Sequence, residues 1–288
     1  MAGGVRMRIS LAQLNSKLGD VDANLESARE AVETAVGESA DLVAFPELFL
    51  SGYSVGEVDA DLSMRPDDPR IEKLARAAGD AGVLVGFVEA GPPGPHTYNS
   101  TAYYEAGRLV HVHRKLYLPA YRPFEERNHF TPGPRLRAFD ASPDTRMAVL
   151  CCNDAWQPQL AFLATQDGAQ VMLVPTASSQ SSFPDRYDSH EYWHDITRFY
   201  GRMFQLFVVF VNRVGVEGRF RFWGGSHIID PWGNVVAEAA LDEEQVLTVS
   251  IDLAEIRRRR RQVPLVKEAR LGLIQREIER LLDEGGDL

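Results

Sequence analysis

The sequence predicts a mixed α/β fold built as one domain. Short apolar runs rich in β-branched residues alternate with segments whose apolar residues recur at helical spacing. Two of the breaks between runs are tight turns, so antiparallel pairs join the parallel ones that a strand-and-helix alternation makes. No Pro/Gly/Ser-rich linker divides the 288 residues, a length that layered α/β folds often use in a single unit.

In chain order, an apolar run over 7–13 opens the fold as a strand, and helical spacing behind an acidic cap candidate makes 22–36 a helix. A strand over 42–45, a helix over 71–81 and a strand over 83–89 follow. Residues 100–104 and 109–113 are strands joined by a hairpin turn at Glu105-Ala106-Gly107. The next strand, 147–151, leads to a helix over 159–166 and a strand over 171–174. A helix over 187–204 precedes strands over 207–211 and 226–229, and Asp230-Pro231-Trp232-Gly233-Asn234 makes a second hairpin turn. A last strand over 246–251 gives way to a short helix carrying the consecutive arginines 257–261. Residues 262–288 are expected to extend the single domain, 1–288, by packing on its core or on a partner subunit.

With 41 acidic against 31 basic residues, the formal charge of -10 argues against nucleic acid as a partner, because phosphate binding needs a positive surface. The arginine run is the local exception and reads as a solvated or ion-paired helix face. Residues 1–8 lack the apolar stretch of a signal peptide, and the longest apolar run, 206–211, is too short to span a bilayer. No membrane partner and a cytoplasmic location are therefore expected. The cysteines, Cys151 and Cys152, are adjacent, which disfavours a disulfide between them and leaves free thiols suited to a reducing compartment.

Three reactive residues stand at the ends of expected strands, where an α/β sheet delivers side chains to a shared crevice. Glu47 follows the strand at 42–45, where partial burial raises a carboxylate toward the range of a general base; alone, it reads as a cap on the next segment. Lys115 follows the strand at 109–113, where a fixed ammonium can meet a developing oxyanion; alone, it reads as an edge-strand lysine. Residues 147–154, Met-Ala-Val-Leu-Cys-Cys-Asn-Asp, run an apolar strand into two thiols and a turn before a helical segment. There, backbone N–H groups and a helix start favour a thiolate nucleophile, the plainer reading being a buried inert cysteine.

Together these stretches resemble the nitrilase-like carbon-nitrogen hydrolase family, whose members present a Glu, a Lys and a Cys in this chain order. The matching residues are Phe45-Pro46-Glu47-Leu48 with Ser51-Gly52-Tyr53, Arg114-Lys115-Leu116-Tyr117-Leu118-Pro119, and Cys152-Asn153-Asp154. Phe124-Glu125-Glu126, continuing to Phe130-Thr131-Pro132-Gly133, looks like the family loop that brings a second glutamate into the site. Asn212-Arg213-Val214-Gly215, Gly224-Gly225-Ser226 and Asp230-Pro231-Trp232-Gly233 look like its second half. The likeness implies a four-layer αββα sandwich, a homodimer or higher homo-oligomer paired through helical layers, and acyl transfer with no metal or organic cofactor. By resemblance Glu47 takes the Cys152 proton, the thiolate attacks a carboxamide carbon, Lys115 and the Asn153 backbone N–H hold the oxyanion, and Glu126 orients Lys115 or the substrate. Cys151, one residue back on the strand, is expected to point away into packed core. Tyr53, His129, Trp156, Ser179 and Phe183 are the expected pocket residues.

The stretches around Glu47 and Glu126 look most like the glutamine-hydrolysing portion of glutamine-dependent NAD synthetases. With no nucleotide-binding half following, a free-standing amidase acting on a small-molecule amide is expected; N-carbamoyl amine hydrolase, nitrilase and glutaminase are the alternatives on the same residues. One departure is visible. Where many relatives carry Arg-Ala-x-Glu-Asn, this chain has Tyr200-Gly201-Arg202-Met203-Phe204.

A reading from another class rests on His190-Glu191-Tyr192-Trp193-His194, which matches His-Glu-x-x-His, the zinc-binding helix face of a protease with Glu191 as base. Its upstream flank is polar and no third ligand is evident on a succeeding helix, so the segment is expected to line or cover the pocket instead. His111 and His113 alternate on one strand and are expected to be a satisfied pair. A catalytically silent binding protein is the third class, and an intact Glu, Lys and Cys set gives it no support.

Overall fold

The computed structural model describes residues 5–91, 96–121, 124–142, 144–181 and 186–286. The first strands are β1 (Arg6–Gln13), β2 (Leu42–Ala44), β3 (Gly82–Ala90), β4 (Thr97–Glu105) and β5 (Arg108–Arg114). Then come β6 (Phe139–Ala141), β7 (Thr145–Val149), β8 (Val171–Thr176), β9 (Phe207–Asn212), β10 (Val214–Glu217), β11 (Phe220–Trp223), β12 (His227–Ile229), β13 (Val235–Glu238) and β14 (Gln245–Asp252). The helices are α1 (Val21–Gly37), α2 (Pro69–Ala77), α3 (Pro158–Gln166), α4 (Ser189–Phe204), α5 (Ala254–Gln262) and α6 (Leu271–Asp283).

The strands form two six-stranded sheets, ordered β14-β1-β2-β3-β4-β5 and β13-β12-β9-β8-β7-β6, with β10 and β11 as a separate hairpin. A parallel trio lies inside each sheet, β1-β2-β3 and β7-β8-β9, flanked by antiparallel strands. The alternation of strand faces then builds the layers. Met7, Ile9, Leu11 and Leu84 of the first sheet meet Met147, Val149, Leu173 and Val209 of the second in one buried cluster. Val43, Val83, Val85 and Phe87 turn the other way, onto Ala28 and Val32 of α1 and Ile71 and Leu74 of α2. Ala148, Met172, Val174 and Phe210 likewise cover α3 and α4 through Leu160, Ala164, Trp193 and Tyr200. Each such large side chain removed from water contributes about 1.5–3 kcal/mol, which is what holds the α, β, β and α layers together.

The strands and helices expected from the sequence are present, with shifted ends. Helix α2 stops at Ala77, and Gly79 at φ +62° then turns the chain where a longer helix was expected. Ala106 and Gly107, at φ 48° and 70°, make the primed turn that the β4–β5 hairpin needs. β6 and the β10–β11 hairpin were not foreseen, and β13 was foreseen only as the unnamed partner that the hairpin turn at 230–234 requires. The C-terminal extension divides in two. Its start touches the core, Gln166 and Gln205 donating to the Val266 and Val263 carbonyls, but α6 buries none of its residues. The arginine run lies on α5, where Arg258 pairs with Asp252 and Glu255.

Candidate active site

Four backbone positions converge because the carboxyl ends of β2, β5, β7 and β8 point the same way. Glu47 follows β2 on a turn that crosses β3 so closely that a Cβ at Gly86 would lie 2.5 Å from the Leu48 nitrogen and 2.8 Å from the Pro46 carbonyl. The turn is fastened there by Leu50 N–H donating to Gly86 O at 3.0 Å. Lys115 is the residue after β5, and its N–H still donates to Asn99 O at 2.8 Å. Cys152 stands beyond β7 with φ +46° and opens the 3-10 turn Cys152–Trp156, a strained corner of the kind that presents a nucleophile. Asp154 in that turn is fully buried and binds it to the end of β5: its Oδ1 accepts from Leu116 N at 3.0 Å and Tyr117 N at 2.8 Å, and its Oδ2 from His113 Nε2 at 2.7 Å. From α4, Tyr200 donates its hydroxyl to the Ala155 carbonyl at 2.6 Å.

At the centre, Lys115 Nζ donates to Glu47 Oε1 at 2.6 Å and to Glu126 Oε1 at 2.7 Å, with all three side chains buried. Asn99 Nδ2 donates to Glu47 Oε1 at 2.7 Å and reaches Glu126 Oε2 at 3.4 Å. Ala177 N–H donates to Glu47 Oε2 at 3.0 Å, and Tyr53 OH to Glu126 Oε1 at 2.6 Å. The Tyr53 loop is itself held by Glu217, which accepts from Tyr53 N and Ser54 N and pairs with buried Arg213 at 2.8 Å. Asn99, Ala177 and Tyr121 carry no sequence motif; a polar residue inside the β4 run was the one signal that could have pointed to Asn99.

The charges follow from this packing. Burial works against the Lys115 ammonium, but Glu126 and Glu47 outweigh it and hold its pKa well above lysine's ordinary value. Burial pushes Glu126 up to about 7, against the pull of Lys115 and with a push from Glu47. Burial and then Glu47 drive the Cys152 thiol well above its ordinary value, against Lys115. This packing works against the thiolate expected from the sequence. One ammonium already shared by two carboxylates has little charge left for the sulfur, and the helix that follows starts only at Pro158.

Cys151 departs from expectation as well. It is fully buried, but its Sγ lies 3.5 Å from Glu47 Oε1 and 3.9 Å from Asn99 Oδ1, facing the carboxylate instead of turning away from it. β7 ends at Val149, so strand alternation no longer governs either cysteine. Both thiols are free.

Cys152 opens onto a cavity of about 400 Å³. Of the expected pocket residues, Tyr53, Asn153, Trp156 and Ser179 line it; Tyr121, Phe124 and Tyr187 add aromatic walls that sequence reasoning missed. Tyr53 spends its hydroxyl on Glu126. His129 is placed elsewhere, exposed in a neighbouring depression beyond Tyr53 and against Gly56. Phe183 lies outside the described residues.

The remaining histidines also have places. His113 is satisfied by Asp154, whereas His111 stacks on Phe139 with centroids 4.5 Å apart and its Nε2 has no hydrogen-bond partner among the described residues, so the pair is only half satisfied. His190 and His194 share a face of α4, and the companion that no later helix offered comes from a strand: Glu238 Oε1 of β13 lies 3.2 Å and 2.8 Å from their Nε2 atoms. Glu191 is exposed and outside this group, while Trp193 of the same segment lines the cavity as expected.

The model of the carbon-nitrogen hydrolase family matches residues 8–261. The glutamine-dependent NAD(+) synthetase of Thermotoga maritima is 32% identical over 87% of this chain and 43% of its own length, so the chain spans less than half of that relative. An (R)-stereoselective amidase from a Pseudomonas species is 31% identical over 95% of both chains. Among solved structures, Saccharomyces cerevisiae Nit3, a member of branch 10 of the nitrilase superfamily, superposes with a TM-score of 0.80 at 26% identity, over 92% of this chain and 97% of that one.

Proposed function

Because the chain belongs to the carbon-nitrogen hydrolase family, we propose that it is a cysteine-dependent amidase that converts a small carboxamide into a carboxylic acid and ammonia or an amine. The observation that carries the reading is the buried Glu47–Lys115–Glu126 cluster, closed by hydrogen bonds of 2.6 and 2.7 Å, behind a cysteine that opens onto an aromatic-walled cavity. Glu47 receives the thiol proton as Cys152 Sγ bonds to the amide carbon, and the carbonyl electron pair moves onto oxygen, facing the Lys115 ammonium and the Asn153 N–H. Collapse breaks the carbon-nitrogen bond while Glu47 returns the proton to the leaving nitrogen. A water then gives a proton to Glu47 as it attacks the thioester, the carbon-sulfur bond breaks, and the proton passes back to sulfur. Glu126 positions Lys115 through their shared hydrogen bond. The match to an amidase over 95% of both chains supports amide turnover, and the match to the synthetases keeps glutamine among the substrates to test.

The rings of Tyr121, Phe124, Trp156, Tyr187 and Trp193 suit an apolar or planar acyl group. An ammonia-release screen over glutamine, asparagine, aliphatic and aromatic amides, carbamoyl amines and nitriles tests the reading. Apolar carboxamides are expected to be turned over and nitriles to be inert, with Cys152→Ser folded and silent. A clear preference for nitriles would overturn the amidase assignment.

We also propose that copies assemble into a homo-oligomer through the helical layers, a reading supported by exposed Tyr192, Phe199 and Met203 on α4. A reducing, cytoplasmic setting suits a mechanism that needs Cys152 as a free thiol. Among the described residues, no helix is long and apolar enough to cross a membrane.

A further inference from the structure

We propose that His190, His194 and Glu238 form a binding site for a divalent transition metal, with Zn2+ the ion of choice, separate from the thiol chemistry but fastening one wall of its cavity. One ligand atom from each residue falls within 4.8 Å of the others. The donors are imidazole nitrogens four residues apart on α4 and a carboxylate oxygen on β13, and spacing by four brings side chains onto one helix face. Two partly buried imidazoles and one exposed carboxylate make an open three-ligand set that suits Zn2+.

The hydrogen bonds seen here are compatible with this role. Glu238 Oε1 accepts from both Nε2 atoms, at 3.2 and 2.8 Å, so each ring presents to the carboxylate the same nitrogen that would bind the ion. Ligand atoms around a tetrahedral Zn2+ lie roughly 3.4 Å apart, from bond lengths of about 2.1 Å, so shifts of about an ångström, with each ring carrying its N–H on Nδ1, would seat the ion. The ring planes are already held. His194 stacks on His227 at 4.4 Å, and His190 meets Trp223 edge-on at 4.9 Å. His227 is no fourth ligand, because its Nδ1 donates to the Gly225 carbonyl and its Nε2 accepts from Thr197.

The position gives the ion a task. Ser189 and Trp193 flank His190 on α4, both line the Cys152 cavity, and Ser189 Oγ lies 2.7 Å from Ser178 Oγ, another lining residue. None of the three proposed ligands lines that cavity. A cation bridging α4 to β13 would therefore fix the wall that receives the acyl group without touching Cys152, Lys115 or Glu47.

Cys152→Ser protein, stripped with a chelator and dialysed, separates this site from metal capture by the thiol. Titrated with Zn2+ in a calorimeter, it is expected to bind one equivalent and gain several degrees in Tm. His194→Ala and Glu238→Ala, each in the Cys152→Ser background, should lose at least ~10-fold in affinity, a floor set by what outer-shell losses already cost. No stoichiometric binding, or equal binding in both variants, would overturn the site. The effect on the wall rests on the amidase reading and is read separately, in the enzyme with Cys152 intact. Chelation should raise KM and leave kcat within about twofold, since the ion makes no contact with the reacting atoms. If Zn2+ binds and KM does not move, the wall-fastening role falls while the site stands; if kcat collapses, the proposed separation from the chemistry is wrong.

Discussion

Lys115 is fully buried between Glu47 and Glu126, so removing it has a chemical and a structural consequence. On the proposed mechanism Lys115→Ala takes away an oxyanion donor, expected to cost at least ~100-fold in kcat. It also leaves two carboxylates facing each other, and breaking a buried pair of this kind costs about 3–5 kcal/mol. Both losses are measurable, by turnover and by denaturant unfolding, and a folded variant that keeps a tenth of the activity would remove Lys115 from the mechanism. Glu126 supplies a pH signature. Its pKa is raised from 4.5 to about 7 chiefly by burial, so the fold favours its protonated form; the stability it contributes is full below 4.5 and is lost as pH rises through about 7. Activity should run the other way, rising through about 7 as the ionised carboxylate takes up the Lys115 hydrogen bond. Glu126→Gln is expected to shift that limb of the kcat/KM profile, and an unchanged profile would rule Glu126 out as its source. Glu47, Lys115 and Cys152 stood at the ends of expected strands, but each alone reads as a cap, an edge lysine or an inert thiol, and it was the resemblance of the three stretches in order that singled them out. Asn99 and the Ala177 N–H were not, since an asparagine inside a strand and a backbone donor leave no pattern in the sequence. Cys151 was misread because the alternation rule was carried two residues past Val149.

At the scale of elements, the approach of the Glu47 turn to β3 is the contact most sensitive to a single atom. Gly86→Ala would place a methyl 2.5 Å from the Leu48 nitrogen, so the turn must shift. Overpacking of this sort costs about 1–3 kcal/mol, and a displacement of Glu47 by 1 Å is enough for a loss of roughly 100-fold. Thermal unfolding and kcat/KM on the same preparation test this; a variant that is neutral in both would show that the close approach is not needed. The elements that read well are β3, β8 and β9, nearly or wholly buried along their lengths and hence near-continuous apolar runs. β6 and β13 are short edge strands with exposed positions, and β11 alternates buried Phe220 and Phe222 with exposed Arg221, too brief a pattern to stand out. The departure at 200–204 now has a local cause. Tyr200 holds the Cys152–Trp156 turn by its hydroxyl, and a Cβ at Gly201 would lie 2.5 Å from the Asp230 carbonyl, so this helix sits closer to the β12–β13 turn than a bulkier residue would allow.

For the whole molecule, the layered architecture was legible from the alternation of element types, while the pairing of the two sheets across a common core came from resemblance, since which strands face one another is a long-range matter. The proposed assembly belongs at this scale. Light scattering is expected to give at least twice the chain mass, and Phe199→Glu combined with Met203→Glu should lower it; a monomeric wild-type protein would refute the proposal. A last consequence lies in the origin of the reactive groups: Glu47 and Lys115 arrive on one sheet, Cys152 and Ala177 on the other. A newly made chain that has formed its strands but not closed the sandwich holds every participant and no catalyst. On the proposed mechanism its thiol then has no base within reach, and hydrolysis waits until the two halves dock.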